Sequence, residues 1–162
     1  MVVMAEGTDE AFILGVIKGL ENPNISTNLR KRLEGSIEGI CEGNAAPLVA
    51  YLKSTPASDD EFKQYARTQV VKTLGRLGEN GKLGKDEREA IIALVLELND
   101  PEVKSAARRA LMKIGAVAPK VTLEVLHSAL ETENKTLIAV RQDVTEIRNE
   151  LLPQQKRLAS TR

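Results

Sequence analysis

The segment D-P-E-V-K-S-A-A-R-R-A-L-M-K-I-G, from Asp100 to Gly115, is spelled more than once in this chain. A looser copy begins at Asn22 as N-P-N-I-S, with Leu29 and Leu33 where the later copy has Ala107 and Leu111. A third, D-E-F-K-Q-Y-A-R-T-Q-V-V-K-T-L-G, runs from Asp60 to Gly75. The period is about forty residues, the length of a helical hairpin, and the apolar spacing inside each copy is helical. A single hairpin cannot bury both of its faces, so units of this kind must stack on one another. The expectation is an all-α chain that works through surfaces more than through a catalytic pocket.

Eight helices are predicted. The first covers about 8–21 with Thr8 as N-cap, and the second about 25–41, after the stop at Asn22-Pro23. A short third, about 46–54, carries Pro47 in its first turn, and the fourth starts at a cap among Ser58, Asp59 and Asp60. The glycine-rich stretch 78–84 reads as a mobile loop between units. The fifth helix, about 86–98, is apolar nearly all round and should be buried on several sides. The sixth is closed by Gly115, the seventh spans about 117–131, and the eighth about 134–152 is broken by Pro153. Gly43-x-x-x-Pro47 and Gly115-x-x-x-Pro119 read as equivalent joints, a helix stop followed by a Pro start. The units are then about 8–41, 45–78, 86–115 and 117–152 of a single domain, 1–152, with a flexible tail at 153–162.

Composition narrows the function classes. Aromatics are 2% of the chain and Trp is absent, so a large β-sandwich is disfavoured and close aliphatic helix packing favoured. Lys plus Arg equal Asp plus Glu at 23 each, which removes any bulk attraction to nucleic acid or membrane. One cysteine, Cys41, leaves no internal disulfide and fits a reducing compartment. No apolar run is long enough to span a membrane, and M-V-V-M-A-E-G lacks the features of a secretory signal, so a cytoplasmic location is expected.

Asp100, Pro101, Val103, Lys104, Ala107, Ala110, Leu111 and Gly115 resemble the HEAT-type helical repeat, in which an Asp-Pro turn leads into a V-[RK]-x-x-A-x-x-A-L second helix. The copy at Asn22, Pro23, Ile25, Leu29 and Leu33 matches loosely; that from Asp60 lacks the Pro, and the last unit keeps only apolar spacing, as a capping repeat would. The resemblance covers about 8–152. It implies a right-handed α-α superhelix of about four HEAT-like helix pairs, with first helices outside and second helices lining the concave side.

Bases outnumber acids on the second helices and acids outnumber bases on the first, so such a stack would be basic inside and acidic outside. Arg30, Arg67, Lys72, Lys104, Arg108, Arg109 and Arg141 are the candidate partner-binding residues, against the alternative of an ordinary solvated face with i,i+4 pairs such as Arg30–Glu34. Enzymatic readings find no support. His127 has no acid-base partner nearby, one His and one Cys do not make a metal site, and Cys41 reads better as a structural thiol than as a nucleophile. G-E-N-G-K-L-G-K-D at 78–86 fails as a phosphate loop because the required Gly and Ser/Thr positions are missing. HEAT-like iron hydroxylases and DNA glycosylases need His-Glu pairs or aromatic pockets that this chain lacks, and nothing indicates the bilin site of phycobilisome-type lyases. No cofactor is expected.

The leading expectation is therefore a non-enzymatic interaction or scaffold module that binds a protein or acidic peptide on the concave face. The alternative is a nucleic-acid-binding protein using the same Arg/Lys rows, weakened by the absence of aromatic platforms for bases. Leu137, Val140, Val144, Ile147 and Leu151 step 3-4-3-4, which fits either an intramolecular cap or a homodimer seam through the C-terminal helix.

Overall fold

The structure is a computed structural model that describes residues 6–55, 57–131 and 135–160. Among these the chain is all-helical: α1 (Glu6–Leu20), α2 (Thr27–Ile40), α3 (Ala46–Ser54), α4 (Glu61–Glu79), a 3-10 turn (Gly84–Asp86), α5 (Glu87–Glu97), α6 (Lys104–Val117), α7 (Pro119–Glu131), α8 (Lys135–Ala139) and α9 (Arg141–Ser160). Ser26 caps α2 by accepting from the Leu29 N–H at 3.1 Å. Asp60 caps α4, accepting from Phe62 at 2.8 Å and Lys63 at 3.1 Å. Asp100 forms the turn into α6, its carboxylate accepting from the Glu102 N–H and its carbonyl from Val103 and Lys104.

The helices lie in two layers. In one, α1, α3, α5 and α7 each pack on the next; in the other, α2, α4, α6 and α9 do the same. The layers meet through α1–α2, α3–α4, α5–α6 and α7–α9, while short α8 leans on α5, α7 and α9. Between them lies one continuous core that includes Ile13, Ile17, Leu48, Leu74, Ile91, Leu94, Leu111, Ile114, Val144 and Leu151. Each such side chain contributes about 1.5–3 kcal/mol relative to exposure. The repeated segment shows its logic here: Val103, Ala107, Ala110, Leu111 and Ile114 are its buried stripe, and Lys104, Arg108 and Arg109 fall off it. The expectation for α5 holds, with Ala90, Ile91, Ala93, Leu94 and Val95 all buried.

Several charged contacts join residues at similar separations along the chain. Lys53–Glu89, Arg76–Glu38, Lys82–Glu42, Arg88–Glu124, Arg108–Glu146 and Arg108–Glu150 join residues 36 to 42 apart. One charged pair is of another kind. Arg67 is 8% exposed and Glu97 5%, and the guanidinium of α4 grips the carboxylate of α5 bidentately, at 2.7 Å and 2.5 Å. Its remaining donors reach the carbonyls of Leu52 and Thr55 and the Thr55 hydroxyl, at 2.8–2.9 Å. Arg67, expected on a partner-binding row, is thus enclosed in the protein.

Several expected boundaries differ. Helix α1 begins at Glu6, so Thr8 lies inside it and is not its cap. Gly115 does not close α6: the helix runs on to Val117, and the missing side chain makes room for Leu151, whose Cδ1 would lie 2.5 Å from a Cβ there. The eighth predicted helix is two, divided at Val140, and α9 continues through Pro153 to Ser160 across the expected flexible tail. Residues 161–162 of that tail lie outside the described residues. Four of the five seam residues, Val140, Val144, Ile147 and Leu151, are buried within the chain at no more than 1% exposure, and Leu137 is partly buried. The stretch after α4 is pinned to the first unit: the Gly43 N–H donates to Lys82 O at 2.7 Å, and Leu83 is buried. Gly43 and Gly84 have φ of 76° and 67°, and a Cβ on Gly84 would collide with the Gly43 carbonyl.

Arg67→Ala and Glu97→Ala are each expected to cost about 3–5 kcal/mol in urea denaturation, because each leaves a buried charge unpaired. Lys53→Ala, which breaks a half-exposed pair, should cost less than about 1 kcal/mol. In the same assay Gly84→Ala should destabilise by more than about 1 kcal/mol, whereas Gly15→Ala, at an exposed helical site with open space, should stabilise by roughly 0.5–1 kcal/mol.

Candidate anion-binding groove

Helices α4 and α6 come together through small residues. A Cβ on Gly75 would lie 3.0 Å from both Cα and Cβ of Ala110, so only the absence of a side chain permits this approach. Above that contact runs a groove of about 120 Å³, lined by Lys72, Gly75 and Arg76 of α4 and by Ala106, Arg109, Ala110 and Lys113 of α6. Each helix supplies two bases one turn apart, about 6 Å along its axis. The buried stripes of the helices, Val70, Val71, Leu74 and Leu77 on α4 and Ala107, Leu111 and Ile114 on α6, turn these bases toward solvent.

The electrostatics of this layer change from junction to junction. Between α2 and α4, acids meet their partners: Glu38 pairs with Arg76 at 3.0 Å, and Glu34 accepts the Tyr65 hydroxyl. Between α6 and α9, Lys104 pairs with Asp143 at 3.1 Å, and Arg108 with Glu146 at 2.7 Å and Glu150 at 3.0 Å. The hydrogen bonds from Arg108 and then Gln142 hold the Glu146 carboxyl below its ordinary range, and Glu146 and Glu150 raise the Arg108 guanidinium in turn. Between α4 and α6 bases face bases. No acid lines that groove; of its four bases, Arg76 is paired with Glu38 at 3.0 Å and Lys113 lies 3.8 Å from Glu79 of α4. Among the described residues Lys72 and Arg109 have no ion-pair partner, and both are exposed.

The seven candidate bases therefore divide. Lys72 and Arg109 come together in the groove; Lys104 and Arg108 are matched by α9; Arg67 is saturated inside. Arg30 lies over the rings of Phe62 and Tyr65, 5.7 Å and 5.0 Å from their centroids, and donates to the Asn22 carbonyl at 3.3 Å, so it docks α2 onto α4. Arg141 is exposed at the first residue of α9. Arg76 and Lys113 belong to the site although neither is among the seven. The signal for both is their position one turn after Lys72 and Arg109.

A larger cleft of about 450 Å³ lies between α1, α3 and α4. Its most enclosed polar groups are already paired, Tyr51 donating to Glu21 at 2.7 Å and Arg67 holding Glu97. His127, expected to lack a nearby partner, is exposed and lies 3.1 Å from the Glu131 carboxylate one turn on. Cys41 is buried and desolvation pushes its thiol up to about 11, which leaves it protonated and unreactive near neutrality. Burial and its bond to Glu34 push the Tyr65 phenol up to about 12. No group of three or more metal-ligating side chains comes together among the described residues, and no described helix is long and apolar enough to cross a membrane.

Raised values for a thiol and a phenol fix the sign of an alkaline effect. The folded chain holds these protons more tightly than the unfolded chain does, so their stabilisation is complete below the unfolded values and is lost as pH rises through 11 and 12. Urea stability should fall by on the order of 2 kcal/mol between pH 8 and pH 11, and the thiol should resist iodoacetamide at pH 8 until the chain unfolds. Rapid labelling of the folded protein would contradict the buried thiol.

Neither a family model, a curated protein nor a solved structure matches the chain.

Proposed function

We propose that this chain is a HEAT-like helical-repeat interaction module, a right-handed superhelix of about four helix pairs whose second-helix face binds an acidic segment of a protein partner. The repeat reading is supported by the two-layer packing, by charge pairs at 36 to 42 residues, and by the Asp100-Pro101 turn into the best copy of the repeated segment. The observation that carries the binding reading is the α4–α6 groove. Among the described residues this junction leaves two facing bases, Lys72 and Arg109, without an ion-pair partner, while ion pairs cross the junctions on both sides.

Like charges held together by a close helix contact repel, and an external anion relieves that repulsion while gaining from both edges. The volume is well below the 300–1,000 Å³ typical of small-molecule sites, and no aromatic side chain lines it to stack a base. A carboxylate carried by a protein segment running across the face fits both constraints. Because the chain is neutral overall, attraction is local to the groove and should be strongly screened by salt.

Lys72→Glu combined with Arg109→Glu should weaken binding of a fluorescent poly-glutamate peptide at least about tenfold at low salt, with the circular dichroism spectrum unchanged because both residues are exposed. Wild-type affinity should fall steeply between 50 and 500 mM NaCl, as the Debye length shortens from about 14 Å to about 4 Å. Equal binding by wild type and variant would remove the groove from the function. Tight binding of mixed-sequence RNA or DNA without binding of poly-glutamate would move the function to nucleic acid.

A further inference from the structure

We propose that the segment that docks in the α4–α6 groove is an α-helix presenting carboxylates one turn apart along a single face; this rests on the reading of the groove as an acidic-protein site. The bases set the spacing, since Lys72 to Arg76 and Arg109 to Lys113 are each one helical turn, about 6 Å. Acids at i and i+4 of a helix match that rise, and so do alternate residues of an extended strand, at about 6.8 Å. The backbone separates the two. An extended peptide must place its N–H and C=O groups on partners, and the floor of this groove is Gly75, Ala106 and Ala110, whose own backbone is already inside α4 and α6. A helix brings its backbone satisfied and needs only side-chain contacts.

The chain itself shows how this face is matched. Helix α9 lays Asp143, Glu146 and Glu150, at steps of three and four, against Lys104 and Arg108 of α6. On the other side α2 lays Glu34 and Glu38, a step of four, against Tyr65 and Arg76 of α4. Both flanking junctions are thus satisfied by a helix with acids on one stripe. A third acidic helix over the central groove would repeat that arrangement. Its first carboxylate would bridge the unpaired Lys72 and Arg109. Its second, one turn on, would reach Lys113, which Glu79 holds only at 3.8 Å.

Three labelled peptides of one Ala/Gln background and equal charge separate the outcomes when titrated with the full chain. The first has Glu at i, i+4 and i+7; the second has the same Glu residues scattered around the helix; the third is the first with a central proline. The first is expected to bind at least about tenfold more tightly than the other two, the equivalent of about 1.4 kcal/mol. Its helical circular dichroism signal should also rise on binding, and the Lys72→Ala, Arg109→Ala variant should lose the advantage. If all three bind alike and the variant weakens all three, the acidic-segment reading stands and the helix is overturned. If the first binds best but the variant leaves it unchanged, the docking site lies elsewhere and the inference falls. If none binds at low salt, the functional reading fails and the inference with it.

Discussion

The Arg67 guanidinium is the constraint on which the arrangement of the other helices depends. It has five N–H donors, and all five are used: two on Glu97, two on Thr55 and one on Leu52. Leu52 and Thr55 lie at the end of α3, where carbonyls have no partner within the helix, and Glu97 is the last residue of α5. One side chain of α4 thereby terminates one first-layer helix and fixes a second. Enclosing a charge costs several kcal/mol unless each lone pair and proton is met, so a shift of α4 by one turn against α3 and α5 is heavily penalised. The close approaches of Gly75 to Ala110 and of Gly78 to Ile114 restrict the same shift against α6.

That fixed register carries through to the groove. With α4 held by Arg67, Gly75 meets Ala110, and the contact sets Lys72 and Arg76 beside Arg109 and Lys113. Small residues there bring the bases together, and the buried clamp one or two turns away prevents α4 from rotating to separate them. The repulsion within the groove is a local cost that the clamp and core outweigh. Folding stability and an unmatched charge are thus held by neighbouring turns of one helix.

Much of the helix plan was legible because it is local. Helix α3 spans the residues read from its apolar pattern and Pro47, and Asp60 caps α4 as its position before Glu61 suggests. What was not legible depended on residues far apart in the chain. Gly115 has the sequence signature of a helix end, yet it is a contact site for Leu151, 36 positions later. Arg67 lies in a row of bases, and its partners Thr55, Leu52 and Glu97, 12 to 30 residues away, distinguish it from them. The groove follows the same division. Its bases were visible as i,i+4 rows, but which row meets an acid and which meets another base is decided by the next unit.

Neutrality therefore has a different meaning here from an even mixture of charges. The chain carries 23 bases and 23 acids, and several of them pair across neighbouring helices, at separations of 36 to 42 residues. Charge is masked where a complementary helix lies alongside and is left exposed where that pattern breaks. In the second layer the break falls between α4 and α6, away from either end of the stack. A basic patch at a terminal helix would be matched by adding one more unit of the same kind. A patch between two internal helices cannot be matched by lengthening the stack. Under the proposed function its complement would come across the face, from outside the two layers.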